Sequence, residues 1–312
     1  MIIARRHVLG TAALLPALGA FRPARAEARV FRVGYQKASV ALALLKAQGL
    51  LEQRLKPLGY AVSWAIFTSG PPILEALNDG AVDFAFTGEP PPIFAQAAGV
   101  PVLYAAATQP SPRAVSILVE PNNGIQTVAA LKGKKVAVAR GSSAHYLLVA
   151  ALRDAGLAWG DITPAYLQPS DGRIALQSGS VAAWAVWDPF VAAAEVQGAK
   201  ILIDGTDLMP NRAFYLTSRA VAAAKPEAVK QAIAAVQDIE AWEPSHLSEI
   251  ATDLSKTIGI SPEILKVWFT RQKYGVVPIS PEIIADQQKI ADVFAGLRLI
   301  PRKIDVQEAV LS

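Results

Sequence analysis

Residues 82–99, Val-Asp-Phe-Ala-Phe-Thr-Gly-Glu-Pro-Pro-Pro-Ile-Phe-Ala-Gln-Ala-Ala-Gly, leave a chain few folds to choose from. Val82 to Phe86 reads as a short buried strand. A polar turn, Thr87-Gly88-Glu89, then runs through three prolines into an apolar helix. Proline presets φ and is tolerated in a first helical turn, where its missing N–H costs nothing. Where a strand ends on a helix start, unpaired backbone N–H groups and the positive end of a helix dipole gather, so the corner is expected to attract an anion. A second corner of this kind follows the strand Lys135–Ala139: the turn Arg140-Gly141-Ser142-Ser143, then a helix from about Ala144 through Asp154. Two such corners facing across a cleft would grip one small anion from both sides.

The same alternation runs along the chain. Strands are expected at Val30–Gly34, Val62–Phe67, Val82–Phe86, Val102–Ala106 and Val115–Val119, with helices such as Val40–Lys56 and Pro72–Asp79 between them. After the turn Pro121-Asn-Asn-Gly124 a second series begins, with strands Lys135–Ala139, Ala165–Leu167, Ala182–Val186 and Ile201–Ile203, and Ala213–Thr217 as the return strand. From Ala220 the pattern is helical, with Pro226, Pro262 and Pro281 just inside helix starts. This is the pattern of an α/β fold with mainly parallel sheets. At 312 residues the chain suits two lobes. Without a flexible linker, the lobes are expected to be discontinuous: residues 27–120 with 215–312 as lobe 1, and 121–214 as lobe 2.

The first 26 residues differ in kind. Arg5-Arg6 precede an apolar run, Val8 to Phe21, and Ala24-Arg25-Ala26 resembles a signal-peptidase site. A cleaved export signal over 1–26 is expected, and the paired arginines suit twin-arginine or Sec export. Four of the 30 basic residues lie there and no acids do, which leaves 26 against 26. The basic balance therefore belongs to the signal, and a nucleic-acid partner loses its compositional support. The absence of cysteine excludes a disulfide framework, a thiolate metal site and an acylated N-terminal cysteine. The expected compartment is the periplasm.

The chain resembles the aliphatic sulfonate-binding proteins, periplasmic receptors of bacterial ABC importers, within the group that also takes taurine, nitrate and pyrimidine precursors. The matching segments are Val33-Gly-Tyr-Gln-Lys37, Leu44–Gly49, Thr87-Gly-Glu89 with Pro91–Gly99, Gly141-Ser142 with His145-Tyr-Leu-Leu148, Trp187-Asp-Pro189, Phe214-Tyr215 and Gln287-Gln288. They span nearly the whole mature chain in the family's order. The chain departs from the pattern at Ala182, where an Asp is usual, and at Ser170-Asp171-Gly172, which replaces Ala-Asp-Ala. The resemblance implies a type II periplasmic binding protein fold, two α/β lobes with a hinge cleft. It implies a monomeric substrate-binding component that captures aliphatic sulfonates for sulfur uptake and delivers them to a membrane ABC permease, without a cofactor. A receptor for another small anion such as taurine or nitrate is the alternative.

A sulfonate stays ionised and only accepts hydrogen bonds, so its partners must be donors. Gln36, Ser142 and Ser143 offer an amide and two hydroxyls, although the serines also suit plain helix capping. Gly88 and Gly141 let backbone approach a ligand closely, and Thr87 stands in the same turn as Gly88. Glu89 would repel a sulfonate, so it is expected to cap a helix, pair with a base, or accept from another part of the ligand. His145, in the first turn of its helix, is a candidate donor to the ligand or orienter of the corner, and the neutral orienting ring is preferred, since burial disfavours its charged form. Trp187 and Tyr215 are candidates to line an alkyl chain. Asp188 before Pro189 fits an ordinary helix start as well as a ligand contact. A secreted hydrolase built from Ser142, His145 and Asp188 is disfavoured, because the Ser and His share one helix start and no G-x-S-x-G elbow is present. With His246 the sole other histidine after the signal, a histidine metal site is not expected.

Overall fold

The structure, a computed structural model, describes residues 29–311. The expected export signal lies outside them. Among the described residues no helix is long and apolar enough to cross a membrane.

Two sheets form the scaffold. The first contains β1 (Arg29–Gln36), β2 (Tyr60–Phe67), β3 (Phe84–Gly88), β4 (Val102–Thr108), β10 (Ala213–Ser218) and β11 (Val276–Val277), in the order β11-β4-β10-β3-β1-β2. The second contains β5 (Val115–Val119), β6 (Lys135–Val138), β7 (Thr163–Tyr166), β8 (Ala183–Trp187) and β9 (Lys200–Asp204), in the order β7-β6-β8-β5-β9. Around the first sheet lie α1 (Val40–Gln48), α2 (Leu50–Leu55), α3 (Gly70–Asn78), α4 (Pro90–Ala97) and the C-terminal α8 (Arg219–Ala224), α9 (Pro226–Trp242), α10 (Leu247–Ile258), α11 (Pro262–Phe269) and α12 (Pro281–Gly296). Around the second lie α5 (Ser143–Asp154), α6 (Pro169–Gln177) and α7 (Phe190–Val196).

Each sheet is covered on both faces, so its strands carry nearly continuous apolar runs, as parallel sheets require. In the first lobe, Phe31, Leu42, Leu45, Leu51 and Leu55 are buried on one face, while Ile73, Ile93, Tyr104 and Phe294 pack on the other. Fully burying one such leucine contributes about 1.5–3 kcal/mol.

Three sequence expectations change. The sheets are mixed, because β10 runs antiparallel to β3 and β4, and β5 antiparallel to β8 and β9. Both are the first strand after a crossing. A chain arriving from the other lobe enters at the cleft edge, where the parallel strands finish. For the same reason β5 belongs to the second sheet, so the first crossing precedes Val115 instead of following residue 120. The expected helix Val40–Lys56 breaks at Gly49, whose φ of 63° is left-handed and starts a new short helix. Among the departures from the sulfonate pattern, Gly172 has a packing reason. A Cβ there would lie 2.5 Å from Trp184 Nε1, so an alanine would collide with the buried indole.

Candidate ligand-binding cleft

The C-terminal ends of β1, β3, β6 and β8 point into the gap between the sheets, the place where open α/β sheets hold ligands. Gln36, Gly88, Ser142, Ser143, Trp187 and Asp188 line this gap, joined by Phe86, Pro91, Ser111, Asn211, Arg212, Trp268 and Gln272. The walls are close. A Cβ on Gly88 in lobe 1 would fall 2.1 Å from Ser143 Oγ in lobe 2, and one on Gly141 would fall 3.4 Å from the Phe94 ring. The lobes therefore stand close together, and the gap they line holds about 70 Å³ and opens to solvent. That is roughly half the cavity that accommodates benzene, so even a short alkanesulfonate must extend into the mouth.

The lobe 2 corner is built for donation. Gly141 (φ 71°) turns the chain after β6, and its N–H donates to His145 Nδ1 at 3.1 Å. Ser142 Oγ caps α5 by accepting from His145 N at 3.2 Å, and its own proton goes to the Ala139 carbonyl at 2.7 Å. Ser142 is thus committed to local structure. Ser143, the first residue of α5, keeps its hydroxyl free among the described residues and faces Gly88.

His145 lies behind this corner and outside the cleft. It is fully buried among Phe94, Trp159, Tyr166 and Phe294, with ring centroids 5.0–6.5 Å away. Burial pushes its pKa down to about 4, assisted by the Arg140 charge. The ring is neutral near pH 7, and acceptance at Nδ1 puts its proton on Nε2.

The lobe 1 corner differs. Pro90, Pro91 and Pro92 occupy the first three positions of α4. These are the residues whose N–H groups would make an anion site, and proline has none. The expected second donor corner is therefore closed by its own sequence. Thr87 is buried with its hydroxyl donating to the Gly88 carbonyl at 3.1 Å, so it does not reach a ligand. Glu89 is buried beneath the cleft floor, and burial raises its carboxyl to about 8 despite nearby Arg212.

Lobe 1 supplies its donors from elsewhere. Gln36 ends β1 with a side-chain amide that makes no hydrogen bond among the described residues. Arg212, just before β10, brings a guanidinium into the cleft, held only by a long contact of 3.4 Å from Nη1 to the Thr108 carbonyl. Its Nε is buried without a partner. Sequence reasoning missed Arg212, although a lone arginine beside the expected crossing near residue 214 was a usable signal. Trp268 and Gln272 were also missed, because helical periodicity does not reveal which end of a C-terminal helix returns to a hinge.

Two remaining candidates move. Tyr215 is buried in the first sheet, stacked on Phe84 at 5.7 Å, and donates to Glu240 Oε1 at 2.6 Å. It lines no alkyl pocket. Asp188 touches the cleft, but its two oxygens accept from Arg271 Nη1 at 3.0 and 3.1 Å and Oδ1 also accepts from Ala192 N at 2.9 Å. Burial pushes its carboxyl up to about 6 against the pull of Arg271, which leaves it ionised near pH 7. Arg271 also pairs with Glu195, so this lobe 1 residue ties down the turn just before α7 and the helix's last turn in lobe 2. Trp187 does line the cleft, edge-on to Phe190 at 6.1 Å. No hydrolytic triad forms among the described residues: Ser142 and Asp188 spend their polar atoms on other partners, and His145 Nε2 is buried behind the corner without one. No group of three or more His, Asp or Glu among the described residues is placed to hold a metal ion.

A family model described as "ABC transporter, phosphonate, periplasmic substrate-binding protein" matches residues 42–259. A relative from Escherichia coli (strain K12), named "Putative aliphatic sulfonates-binding protein", is 42% identical over 92% of this chain and 90% of its own. The solved periplasmic aliphatic sulphonate binding protein SsuA from Escherichia coli superimposes with a TM-score of 0.83, covering 91% of this chain and 92% of that one at 42% identity. The alkanesulfonate-binding protein SsuA from Xanthomonas axonopodis pv. citri, bound to MOPS, gives a TM-score of 0.86 at 39% identity, covering 92% of this chain and 99% of that one.

Proposed function

We propose a function from one premise: the chain belongs to the periplasmic substrate-binding proteins of ABC transporters, alongside relatives named as aliphatic sulfonate-binding proteins. It is a binding protein, not an enzyme. It captures a short aliphatic sulfonate between its lobes, closes on it, and delivers it as a monomer to a membrane ABC permease for sulfur uptake. The observation that carries this reading is one cleft that sets unspent donors against an aromatic wall. Ser143, Gln36 and the Arg212 guanidinium can donate hydrogen bonds and, for the arginine, positive charge to the head group, while Phe86, Trp187 and Trp268 suit an alkyl chain. Donors in a desolvated cleft suit a group that accepts and never donates.

Calorimetry with ethanesulfonate, taurine, MOPS, methylphosphonate, sulfate and nitrate tests it. Ethanesulfonate is expected to bind well above sulfate, nitrate and methylphosphonate. Nitrate or methylphosphonate binding more tightly than every sulfonate would refute the assignment.

A further inference from the structure

The strongest unexplained group in the molecule is a buried acid beneath an anion site. Glu89 is 1% exposed. The β3–β10 ladder ends at the Gly88–Ala213 pair, so Glu89 and Arg212 are the next residues beyond it on the two chain segments. The backbone N–H groups of Asn211 and Arg212 and the Arg212 charge favour its ionised form, but burial outweighs them. Its Oε2 is buried without a hydrogen-bond partner among the described residues. Of the other titratable groups around it, Asp286 of α12 adds a like charge, and Tyr104 of β4 and Tyr146 of α5 are neutral phenols. The Asp286 charge is partly met by Lys289 at 3.0 Å, and Gln287 of α12 donates to the Glu89 backbone carbonyl. Among the described residues Arg212 is the cation whose charge acts on Glu89, and it also lines the cleft.

We propose that Glu89 is a positioning residue that sets the charge the ligand meets: it holds the 211–212 backbone in place and must carry a proton for the Arg212 charge to act on the bound anion. An ionised Glu89 would sit near Arg212 with an unpartnered oxygen in a dry site, which is costly. It would also spend on itself the attraction that the ligand needs. Anion and proton therefore bind together. The raised carboxyl, near 8, puts this linkage at the alkaline edge of neutrality. The inference rests on the sulfonate reading only for the choice of ligand.

Three measurements test it, all in buffers that are not sulfonates. For wild type, ethanesulfonate affinity is expected to be level below pH 7.5 and roughly tenfold weaker at pH 9 than at pH 7, the limit for one linked proton. Calorimetry in two buffers of different ionisation enthalpy is expected to show uptake of close to one proton per ligand at pH 9 and almost none at pH 7. Glu89→Gln, which keeps an acceptor for the two N–H groups, is expected to bind as wild type at pH 7 and to lose the slope. A level wild-type profile, or a slope that survives in Glu89→Gln, overturns the proposal. A third arm needs no ligand. The infrared band of protonated carboxyl groups at pH 7 is expected to be weaker in Glu89→Gln by one group, and identical spectra overturn the proposal even if ethanesulfonate proves not to bind.

Discussion

The turn after β6 and the turn after β3 stand on opposite walls of one cleft, yet only the first can donate from its helix start. The lobe 2 turn has Gly141 to bend it, Ser142 to cap α5, a neutral buried His145 to brace it, and Ser143 left free. The lobe 1 turn has three prolines where donors would be, and a buried acid behind them. Lobe 1 compensates with side chains from distant segments, Gln36 and Arg212. One wall thus holds an anion by backbone geometry and a hydroxyl, the other by an amide and a formal charge. The first kind of hold is stiff and insensitive to pH. The second depends on what surrounds the charge.

If this division is right, the largest loss follows from the lobe 1 charge. Arg212→Gln is expected to weaken ethanesulfonate by about 1.5–3 kcal/mol, roughly ten- to hundredfold, with equal loss for every sulfonate. A change below threefold by calorimetry would move the counter-charge elsewhere. Ser143→Ala ranks next, near the lower end of that range at about 1.5 kcal/mol, while Ser142→Ala mainly costs about 1 kcal/mol of helix stability. Gly88→Ala is expected to match Ser143→Ala in binding, because the added methyl group turns the opposing hydroxyl away. The double variant then loses little more than either single one, and full additivity would argue against that contact. Trp187→Ala should cost about 1 kcal/mol or less for ethanesulfonate, by lost apolar contact, and more for longer chains. Equal losses across chain lengths would show that the indole does not touch the tail.

The smallest effect on binding belongs to His145. Its pKa in the folded chain, about 4, lies below the unfolded value of ~6.5, so the unfolded state takes the proton first. Stability tied to His145 is present above about pH 6.5 and is lost as pH falls toward 4. His145→Gln is expected to leave affinity unchanged between pH 6 and 9 and to lessen the fall in urea midpoint between pH 7 and pH 5. A shift in ligand affinity would return His145 to the cleft wall.

Local signals carried the fold a long way. The strand and helix alternation, the glycine and proline punctuation and the strand-to-helix turns all depend on neighbours within a few residues, and β1, β3, β6, β8 and α5 stand where those patterns put them. The misreadings share a different cause. Whether β5 joins the first or second sheet depends on partners far along the chain, β8 and β9. Whether Tyr215 faces a cleft or Glu240 depends on a residue 25 positions away. Arg212 and Trp268 enter the cleft because of where the chain crosses and returns, which no periodicity encodes. The proline turn at α4 was legible and was weighed wrongly: the missing N–H that makes proline acceptable there also removes the donor.

Two backbone crossings join the lobes, before β5 and before β10, and Arg271, just past α11, adds a tie to Asp188 and to Glu195 of α7. A door on two pins swings but does not slide, and a third fastening away from the pins resists twist. Ser143 must then arrive opposite Gly88 along the same arc each time the lobes meet. The cleft behaves as a caliper. What it gauges at closure is the contact of those two residues, which leaves no room for even an added methyl group, so a head group that props them apart keeps the lobes from meeting.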